Sequence, residues 1–396
     1  MVGYNARCYC QLTAYKQGRT ELVQVTTIAR FEIHYRQYLD PEGKFLPAVN
    51  QATLPRFVRD PAELLKMYKM MVLVRTFDTK AVNLQRTGKL GTYPPALGHE
   101  AAQVGAAAAL RAEDVIAPVY REIGTQIWRG VRMVEILRYW GGDETGNDFV
   151  NTRHDFPWCV PIGTQTLHAA GAAMAFQIRK EPRCALAYIG DGGTSEGAFY
   201  EAMNVAGVRK LPVVFYVVNN RWAISVPLEQ QTAAQTLAQK SIAAGIPGIQ
   251  VDGNDILAVR HVLEEALQRA REGGGPTVVE ALTYRLSDHT TSDDASRYRS
   301  SAEVSQGWAV EPIQRLRHYL TALKLWDDAQ EQTLKQECSV QVEAAVQDYF
   351  ATPKASISAM FDHLFANLPK RIVEQRDEAL QSSAHHQPSG AGAHHA

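Results

Sequence analysis

The clearest hydrophobic pattern of the chain lies between residues 185 and 225, where two short apolar runs flank a helix-like segment. Ala185–Ile189 and Val213–Val218 are apolar throughout and short enough to be buried strands. The segment 195–208 between them carries apolar residues at helical spacing. This stripe consists of Phe199, Met203 and Ala206. A strand, a crossover helix and a second strand predict that the two strands run parallel.

Similar patterns occur along most of the chain and predict an α/β fold, a parallel sheet with helices on both faces. A helix begins at Pro61, with Asp60 as its cap. Further helices are predicted at 100–110, 166–179 and 256–271, and further strands at 115–119 and 277–282. We expect Asp252 and Asp255, at another strand end, to be turn and cap residues.

Four segments follow from this pattern. Residues 1–55 form an N-terminal extension and arm, and residues 56–310 form the α/β domain. Residues 311–381 form a helical C-terminal region of the same domain. Residues 382–396 are poor in apolar side chains, so a disordered tail is expected there. Its four histidines could suggest metal binding, but a flexible tail is the simpler interpretation.

The composition narrows the class of protein. The 396 residues are 45% hydrophobic and 21% charged, with a formal net charge of −1, as in ordinary soluble domains. This balance gives no indication of a nucleic-acid or membrane partner. No apolar run approaches the length of a membrane span, and the N-terminus lacks the layout of a signal peptide.

Cysteine usage points to a reducing compartment. The five cysteines are scattered and odd in number, which argues against a disulfide framework and favours a cytoplasmic location. Cys8 and Cys10 could be half of a metal site, but no second pair accompanies them. Cys184 lies in an apolar run and is expected in the core.

Candidate chemistry follows the two central strands. Asp191 comes just after the first strand and Asn220 just after the second. Ligands of α/β sheets bind outside the carboxyl ends of the strands, and neighbouring strands lie about 5 Å apart. A carboxylate and an amide oxygen meeting there suit Mg²⁺. The glycines of the turn 190–193 allow a diphosphate to approach the backbone, near a helix start.

The glycine turn has three other possible explanations: a dinucleotide fingerprint, a P-loop and a tight turn with a helix cap. A dinucleotide fingerprint would place its acidic residue about 20 residues later, and a P-loop would need Gly-Lys-Ser/Thr after the glycines. Neither pattern occurs here. The remaining alternative is a tight turn in which Asp191 caps the helix at Thr194 or Ser195.

The motif residues strengthen the metal-diphosphate interpretation. Gly190-Asp191-Gly192, a gap from 193 to 218 (26 residues) and Asn219-Asn220 resemble the thiamine-diphosphate motif. The stretches NNRWAISVP, TLAQKSIAAGIPGIQVDGND and EALTYRLSDHTTSDDASRYRS resemble the α subunit of 2-oxo acid dehydrogenases. Within that family, the stretches resemble in particular the bacterial two-subunit pyruvate dehydrogenases (acetyl-transferring). The resemblance covers residues 31–369.

The resemblance implies a set of site residues. Mg²⁺ would be held by Asp191, Asn220 and the backbone carbonyl of Trp222. The diphosphate would contact Tyr120, Arg121, Gly192 and His289, and Gly193 would be a further cofactor-binding residue. The backbone at Val160 and Ile162 would hold the aminopyrimidine, and the Ile162 side chain would support the bent cofactor. In branched-chain relatives K⁺ binds near the positions of Thr164 and Gln165.

The resemblance also implies the reaction and the partners. Pyruvate would be decarboxylated oxidatively with thiamine diphosphate and Mg²⁺, and the acetyl group passed to the lipoyl group of dihydrolipoyl acetyltransferase. A glutamate needed against the aminopyrimidine would come from a β subunit in an α2β2 heterotetramer, because this chain has room for one such domain. The arm at 31–55 packs on other subunits in the family.

The loop 284–300 carries His289, which the family places at the diphosphate and the reacting centre, where it would assist acyl transfer. The polar composition of the loop predicts a solvated and mobile segment. Thr290 replaces a serine that is phosphorylated in mammalian relatives, whereas Ser300 is retained. Two alternatives stay open: a branched-chain 2-oxo acid or acetoin as substrate, and a non-catalytic nucleotide- or metabolite-binding subunit.

Overall fold

The computed structural model of the chain describes residues 27–353 and 355–385. Two units divide the chain, residues 1–32 and residues 33–396. Residues 27–32 of the first unit have no regular secondary structure, and every element below belongs to the second. The predicted extension up to residue 26, with Cys8 and Cys10, lies outside the described residues.

The second unit alternates strands and helices along most of its length. Its strands are β1 (His34–Arg36), β2 (Val115–Ala117), β3 (Ala185–Gly190), β4 (Val213–Asn219), β5 (Trp222–Ala223), β6 (Val226–Pro227), β7 (Gly248–Asp252) and β8 (Thr277–Leu282). Its helices are α1 (Pro61–Arg86), α2 (Glu100–Ala109), α3 (Ile123–Arg129), α4 (Met133–Trp140), α5 (Thr164–Arg179), α6 (Gly197–Arg209), α7 (Leu228–Gln231), α8 (Lys240–Ala243), α9 (Ile256–Arg271), α10 (Ser301–Ala309), α11 (Pro312–Ala322), α12 (Asp328–Ala351), α13 (Ala359–Asp362) and α14 (Lys370–His385).

Six strands form one parallel sheet in the order β1-β7-β8-β4-β3-β2. The predicted pairing of the two central strands is confirmed: β3 and β4 are neighbours, with Ala185 opposite Val213 and Gly190 opposite Val218. Strands β5 and β6 form a small antiparallel hairpin directly after β4. The parallel α/β fold expected from the sequence is therefore confirmed.

Side chains of the central strands alternate between two hydrophobic clusters, as the period of a strand requires. Ala187 and Ile189 pack in a cluster with residues of α5 and α6. Leu186 and Tyr188 pack in the cluster on the opposite face, with residues of α1, α2 and α9. Both faces of the sheet are thus covered by helices, which explains why β3 and β4 read as continuous apolar runs.

The helix caps follow local chemistry. The Asp60 side chain accepts a hydrogen bond from the Ala62 N–H at the start of α1, and Pro61 occupies the first helical position. Asp255 caps α9 through the Leu257 and Ala258 N–H groups. Its other oxygen accepts from the backbone N–H groups of Tyr38 and Leu39, so the cap also anchors the segment after β1.

Several predicted boundaries need correction. Strand β2 ends at Ala117, and α5 begins at Thr164. A 3-10 turn at Gly192–Ser195 precedes α6, which begins at Gly197. The expected tail boundary at 382 is too early, because α14 continues to His385; residues 386–396 lie outside the described part.

None of the helices within residues 27–353 and 355–385 is long and apolar enough to cross a membrane. The described cysteines Cys159, Cys184 and Cys338 are free, and Cys184 is buried as expected.

Candidate active site at the strand ends

A cavity of about 280 Å³ lies at the carboxyl ends of β3 and β4. Nine of the ten predicted site residues line it: Tyr120, Arg121, Ile162, Asp191, Gly192, Gly193, Asn220, Trp222 and His289. Val160, the tenth, is not among the lining residues, and its side chain is about half exposed. The structure therefore brings together residues that lie up to 169 positions apart in the sequence.

Asp191 occupies the turn directly after β3 and is almost completely buried. Its carboxylate makes no capping bond to the following turn, so the helix-cap alternative is wrong. Instead, Asp191 Oδ2 accepts a hydrogen bond of 2.7 Å from Nε2 of Gln231. Burial raises the pKa of Asp191, whereas the bond from Gln231 opposes that rise.

The two asparagines at the end of β4, Asn219 and Asn220, have different partners. The Asn219 side chain points into the fold, where Nδ2 donates to Glu280 Oε1 at 2.7 Å. Asn220 lines the cavity, and its Oδ1 accepts only a long bond of 3.2 Å from the Trp222 N–H. Asn220, rather than Asn219, therefore offers an oxygen to a ligand.

The turn after Asn220 requires unusual backbone geometry. Arg221 and Ile224 have φ values of 75° and 56°, which non-glycine residues adopt infrequently. Trp222 lies between them and is fixed by its side chain, since Nε1 donates to Glu303 Oε1 at 2.7 Å. The Trp222 carbonyl accepts a hydrogen bond of 3.2 Å from Nη1 of Arg285.

The glycines of the first turn have different spatial surroundings. A Cβ atom at Gly192 would lie 2.6 Å from Cβ of Ala223, and one at Gly193 would lie 2.7 Å from Cγ1 of Ile189. A Cβ at Gly190, by contrast, would meet nothing within 4 Å. Gly192 and Gly193 are thus required for packing within the protein, whereas Gly190 leaves the cavity open.

Arg121 enters the cavity beside His289. Its guanidinium donates to the Pro95 carbonyl at 2.5 Å and to the His289 carbonyl at 3.0 Å. The Tyr120 ring meets the His289 ring edge to face, with 6.2 Å between ring centroids. These contacts place the Arg121 guanidinium and the Tyr120 and His289 rings side by side in the wall of the cavity.

His289 is kept neutral by its surroundings. Burial and the guanidinium groups of Arg121 and Arg285 lower the pKa of His289 to about 3. Its backbone N–H donates to Asp293 Oδ2 at 2.9 Å. A neutral imidazole offers one N–H donor and one acceptor nitrogen at neutral pH.

The loop 284–300 differs from the solvated segment that its composition predicts. Arg285 is fully buried and also donates to the Ile224 carbonyl and the Tyr298 hydroxyl, each at 2.8 Å. Arg299 is buried too, and its Nη2 donates to the Ser287 carbonyl at 2.7 Å. Hydrogen bonds from the loop's own buried arginines therefore hold the loop in place beside the cavity. Ser300 caps α10 through the Glu303 N–H.

Sequence reasoning missed several residues of the cavity and its walls. These are His99, Gln103, Glu122, Glu196, Gln231 and Arg285. Burial raises the pKa of Glu122 to about 7, although the Val119 and Arg121 N–H groups donate to its carboxylate. Glu122, Glu196 and Arg285 had a local signal, because they stand close in sequence to Arg121, Gly193 and His289.

Thr164 and Gln165 begin α5 and are not among the cavity-lining residues. Gln165 is buried, and its Nε2 donates to the Tyr188 carbonyl at 2.8 Å. Its Oε1 has no hydrogen-bond partner among the described residues. A potassium site at this position stays an open alternative, as it is in the sequence.

Comparison with known proteins identifies the class. A family model described as "Dehydrogenase E1 component" matches residues 68–358. The chain belongs to this family, as its resemblance to α subunits of 2-oxo acid dehydrogenases predicts. Membership implies thiamine diphosphate as the cofactor.

Individual relatives are similar over nearly their full length. The "3-methyl-2-oxobutanoate dehydrogenase subunit alpha" of Mycobacterium tuberculosis is 46% identical over 82% of this chain and 89% of its own. The "Pyruvate dehydrogenase E1 component subunit alpha" of Acholeplasma laidlawii is 41% identical over 86% of this chain and 97% of its own. The protein of the same name from Staphylococcus epidermidis is 37% identical, over 91% and 96%.

Proposed function

We propose that this chain is the α subunit of a pyruvate dehydrogenase (acetyl-transferring) that binds thiamine diphosphate with Mg²⁺ and works with a β subunit. One observation carries the proposal. Asp191 and Asn220 follow adjacent parallel strands and line one cavity with Arg121 and His289. A non-catalytic metabolite-binding subunit has no need for this combination.

The residues present fit a metal-bridged diphosphate. Asp191, Asn220 and the Trp222 carbonyl supply three hard oxygen ligands, which suits Mg²⁺ because it takes its remaining ligands from phosphates and water. Arg121 supplies a positive charge for phosphate oxygens. The open space beside Gly190 leaves room for the ligand.

Each side chain then has a proposed role. The bound thiamine diphosphate supplies the nucleophilic carbon and the electron sink for decarboxylation. Arg121 and Tyr120 orient the diphosphate, and Ile162 supports the shape of the cofactor. His289, held neutral, hydrogen-bonds at the reacting centre and exchanges a proton during transfer of the acetyl group to a lipoyl group of dihydrolipoyl acetyltransferase.

The β subunit is proposed because the cavity is incomplete in this chain. The second unit contains one parallel sheet, within its described residues, and the family site needs a glutamate from a second such domain. Val160, Ile162 and Ile224 expose 48%, 39% and 56% of their surface beside or near the cavity. A β subunit in an α2β2 assembly would cover these apolar side chains.

The first experiment is a calorimetric titration of thiamine diphosphate with Mg²⁺ into this chain co-purified with its β subunit. We expect tight binding that requires Mg²⁺ and is lost in Asp191→Ala. Asp148→Ala, at an exposed carboxylate away from the cavity, is the matched control and should bind as the wild type does. A folded heteromer that binds no cofactor would reject the proposal.

The substrate needs a separate experiment, because the relative that is 46% identical is named for 3-methyl-2-oxobutanoate and favours a branched-chain acid as the second candidate. Turnover of pyruvate and 3-methyl-2-oxobutanoate by the same heteromer would distinguish them. We expect kcat/KM to be higher for pyruvate, and this chain alone to be nearly inactive. The reverse preference would assign the branched-chain function.

A further inference from the structure

His99 is a cavity residue to which the proposed mechanism gives no role. It stands immediately before α2, lines the cavity and is completely buried. Neither ring nitrogen makes a hydrogen bond of good geometry to the described residues, although the Ala96 carbonyl lies near the ring. Its side chain makes no capping bond to α2, so the ring does not serve the helix start.

The charges around His99 explain the protonation state of the ring. Burial and the guanidinium groups of Arg121 and Arg285 hold the pKa of His99 well below its usual value, whereas the Ala96 carbonyl favours the protonated ring weakly. The adjacent carboxylate of Glu100 is engaged by Arg75 at 2.8 Å and by the Gly98 N–H at 3.0 Å. His99 is therefore neutral, with one donor and one acceptor nitrogen.

A buried polar ring without a partner is destabilising, because nothing replaces the hydrogen bonds to water that it has lost. Native proteins keep few such groups, and each needs an explanation. Here the ring borders the cavity within the electrostatic influence of the Arg121 and Arg285 guanidinium groups, which favour a negatively charged ligand oxygen. An N–H donor at that position would complete a set of donors around the ligand.

We propose that His99 is a further binding residue of this site, donating a hydrogen bond to an anionic oxygen of the molecule in the cavity. Two such oxygens are available, a phosphate oxygen of the cofactor and the carboxylate of the 2-oxo acid. The inference rests on the proposed function, because both molecules come from it.

The test uses the complex of this chain with its β subunit and compares His99→Ala with His99→Gln. Glutamine retains a donor and an acceptor, and its longer side chain is not a preferred helix cap, so it does not replace the ring by capping α2. His154→Ala, at an exposed histidine, is the control. Two quantities are measured: the calorimetric Kd of thiamine diphosphate with Mg²⁺, and the KM of the 2-oxo acid at saturating cofactor.

A hydrogen bond to a charged oxygen contributes about 1.5–3 kcal/mol, so His99→Ala should weaken one of these two interactions about tenfold or more. A raised Kd with an unchanged KM would assign the phosphate oxygen. A raised KM with an unchanged Kd would assign the carboxylate. In either case His99→Gln should recover most of the loss.

Three outcomes would overturn the inference. In the first, the wild type binds tightly and His99→Ala leaves both quantities unchanged. In the second, both quantities worsen together and glutamine recovers neither, which would indicate a purely structural ring. In the third, the wild-type complex binds no cofactor, which rejects the proposed function itself and is recognised without any variant.

Discussion

Two of the regions that line the cavity are held in place differently: the strand-end turns at 190–193 and 219–224, and the loop at 284–300. The turns follow directly from paired strands and are fixed by close packing, as between Gly192 and Ala223. The loop follows β8 but is fixed by hydrogen bonds from the buried Arg285 and Arg299. The first region depends mainly on shape and the second on charged donors, although Arg285 of the loop also donates to the turn at 222–224.

This difference determines which substitutions each region tolerates. A turn fixed by packing tolerates no added atom at its contact points, here Gly192 and Gly193, because interiors are packed as densely as crystals. A loop fixed by guanidinium groups tolerates exchange of its exposed residues but not of the donors, since each lost donor leaves buried acceptors unpaired. Three substitutions and one pH dependence test this contrast, and they are given from the largest expected effect to the smallest.

The largest effect is expected for Arg285→Met. The change leaves the Trp222 and Ile224 carbonyls and the Tyr298 hydroxyl without this donor. We expect a loss of about 3 kcal/mol in the free energy of unfolding. Hydrogen exchange should also accelerate in both the loop and the turn at 222–224.

Arg297→Met serves as the control for this prediction, because Arg297 is an exposed arginine of the same loop that pairs with Asp294. It should change stability by less than about 0.5 kcal/mol. Faster exchange confined to the loop, with the 222–224 turn unaffected, would contradict the proposed connection through Arg285.

Gly192→Ala examines the packed turn. The new methyl group would lie 2.6 Å from Cβ of Ala223, so one of the two turns must shift. Overpacking of this kind costs about 1–3 kcal/mol. Gly171→Ala, in α5 where a Cβ meets nothing within 4 Å, should be neutral or slightly stabilising. Equal melting temperatures for the two variants would show that the turn is looser than the structure indicates.

Gln231→Leu tests whether Gln231 orients the Asp191 carboxylate without contributing much to the stability of the fold. The Gln231 amide donates to Asp191 Oδ2 at 2.7 Å, and its own Oε1 has no partner among the described residues. Residues that orient a metal ligand typically affect affinity 10- to 100-fold. We expect about a tenfold higher Mg²⁺ requirement for cofactor binding, with the melting temperature little changed. Gln230→Leu, its neighbour in sequence, is the control.

The smallest effect is a pH dependence from His289. Its pKa is about 3 in the fold and about 6.5 when unfolded, so the unfolded chain takes up the proton first as the pH falls. Stability is fully present above pH 6.5 and declines below it, by about 1 kcal/mol between pH 7 and pH 5.5. His289→Asn should flatten the part of this slope that His289 causes. An unchanged slope would show that other groups dominate it.

The sequence predicts the turns well because local patterns specify them. β3, α6 and β4 follow from apolar runs and a helical stripe, and parallel pairing then places Asp191 and Asn220 together. The resemblance adds residues from distant segments, and nine of the ten line the cavity. Periodicity and topology therefore account for the strand-end part of the site.

The contacts of the loop and the positions of Gln231 and His99 are predicted poorly for a physical reason. Arg285 and Arg299 look like solvated charges in a polar segment, and only the fold shows that they are buried donors. Gln231 reaches Asp191 across 40 residues, and His99 enters the cavity from the start of α2. Contacts of this kind depend on side-chain direction in three dimensions, which a single sequence does not carry.

The surroundings of Gly190 offer a route for engineering. Gly190, Gly192 and Gly193 lie within four residues, yet only at Gly190 does a Cβ atom find free space. A larger side chain there would grow into the cavity rather than against the protein. We therefore expect that progressively larger side chains at position 190 would reduce the volume of the cavity stepwise without disturbing the packing of the turn.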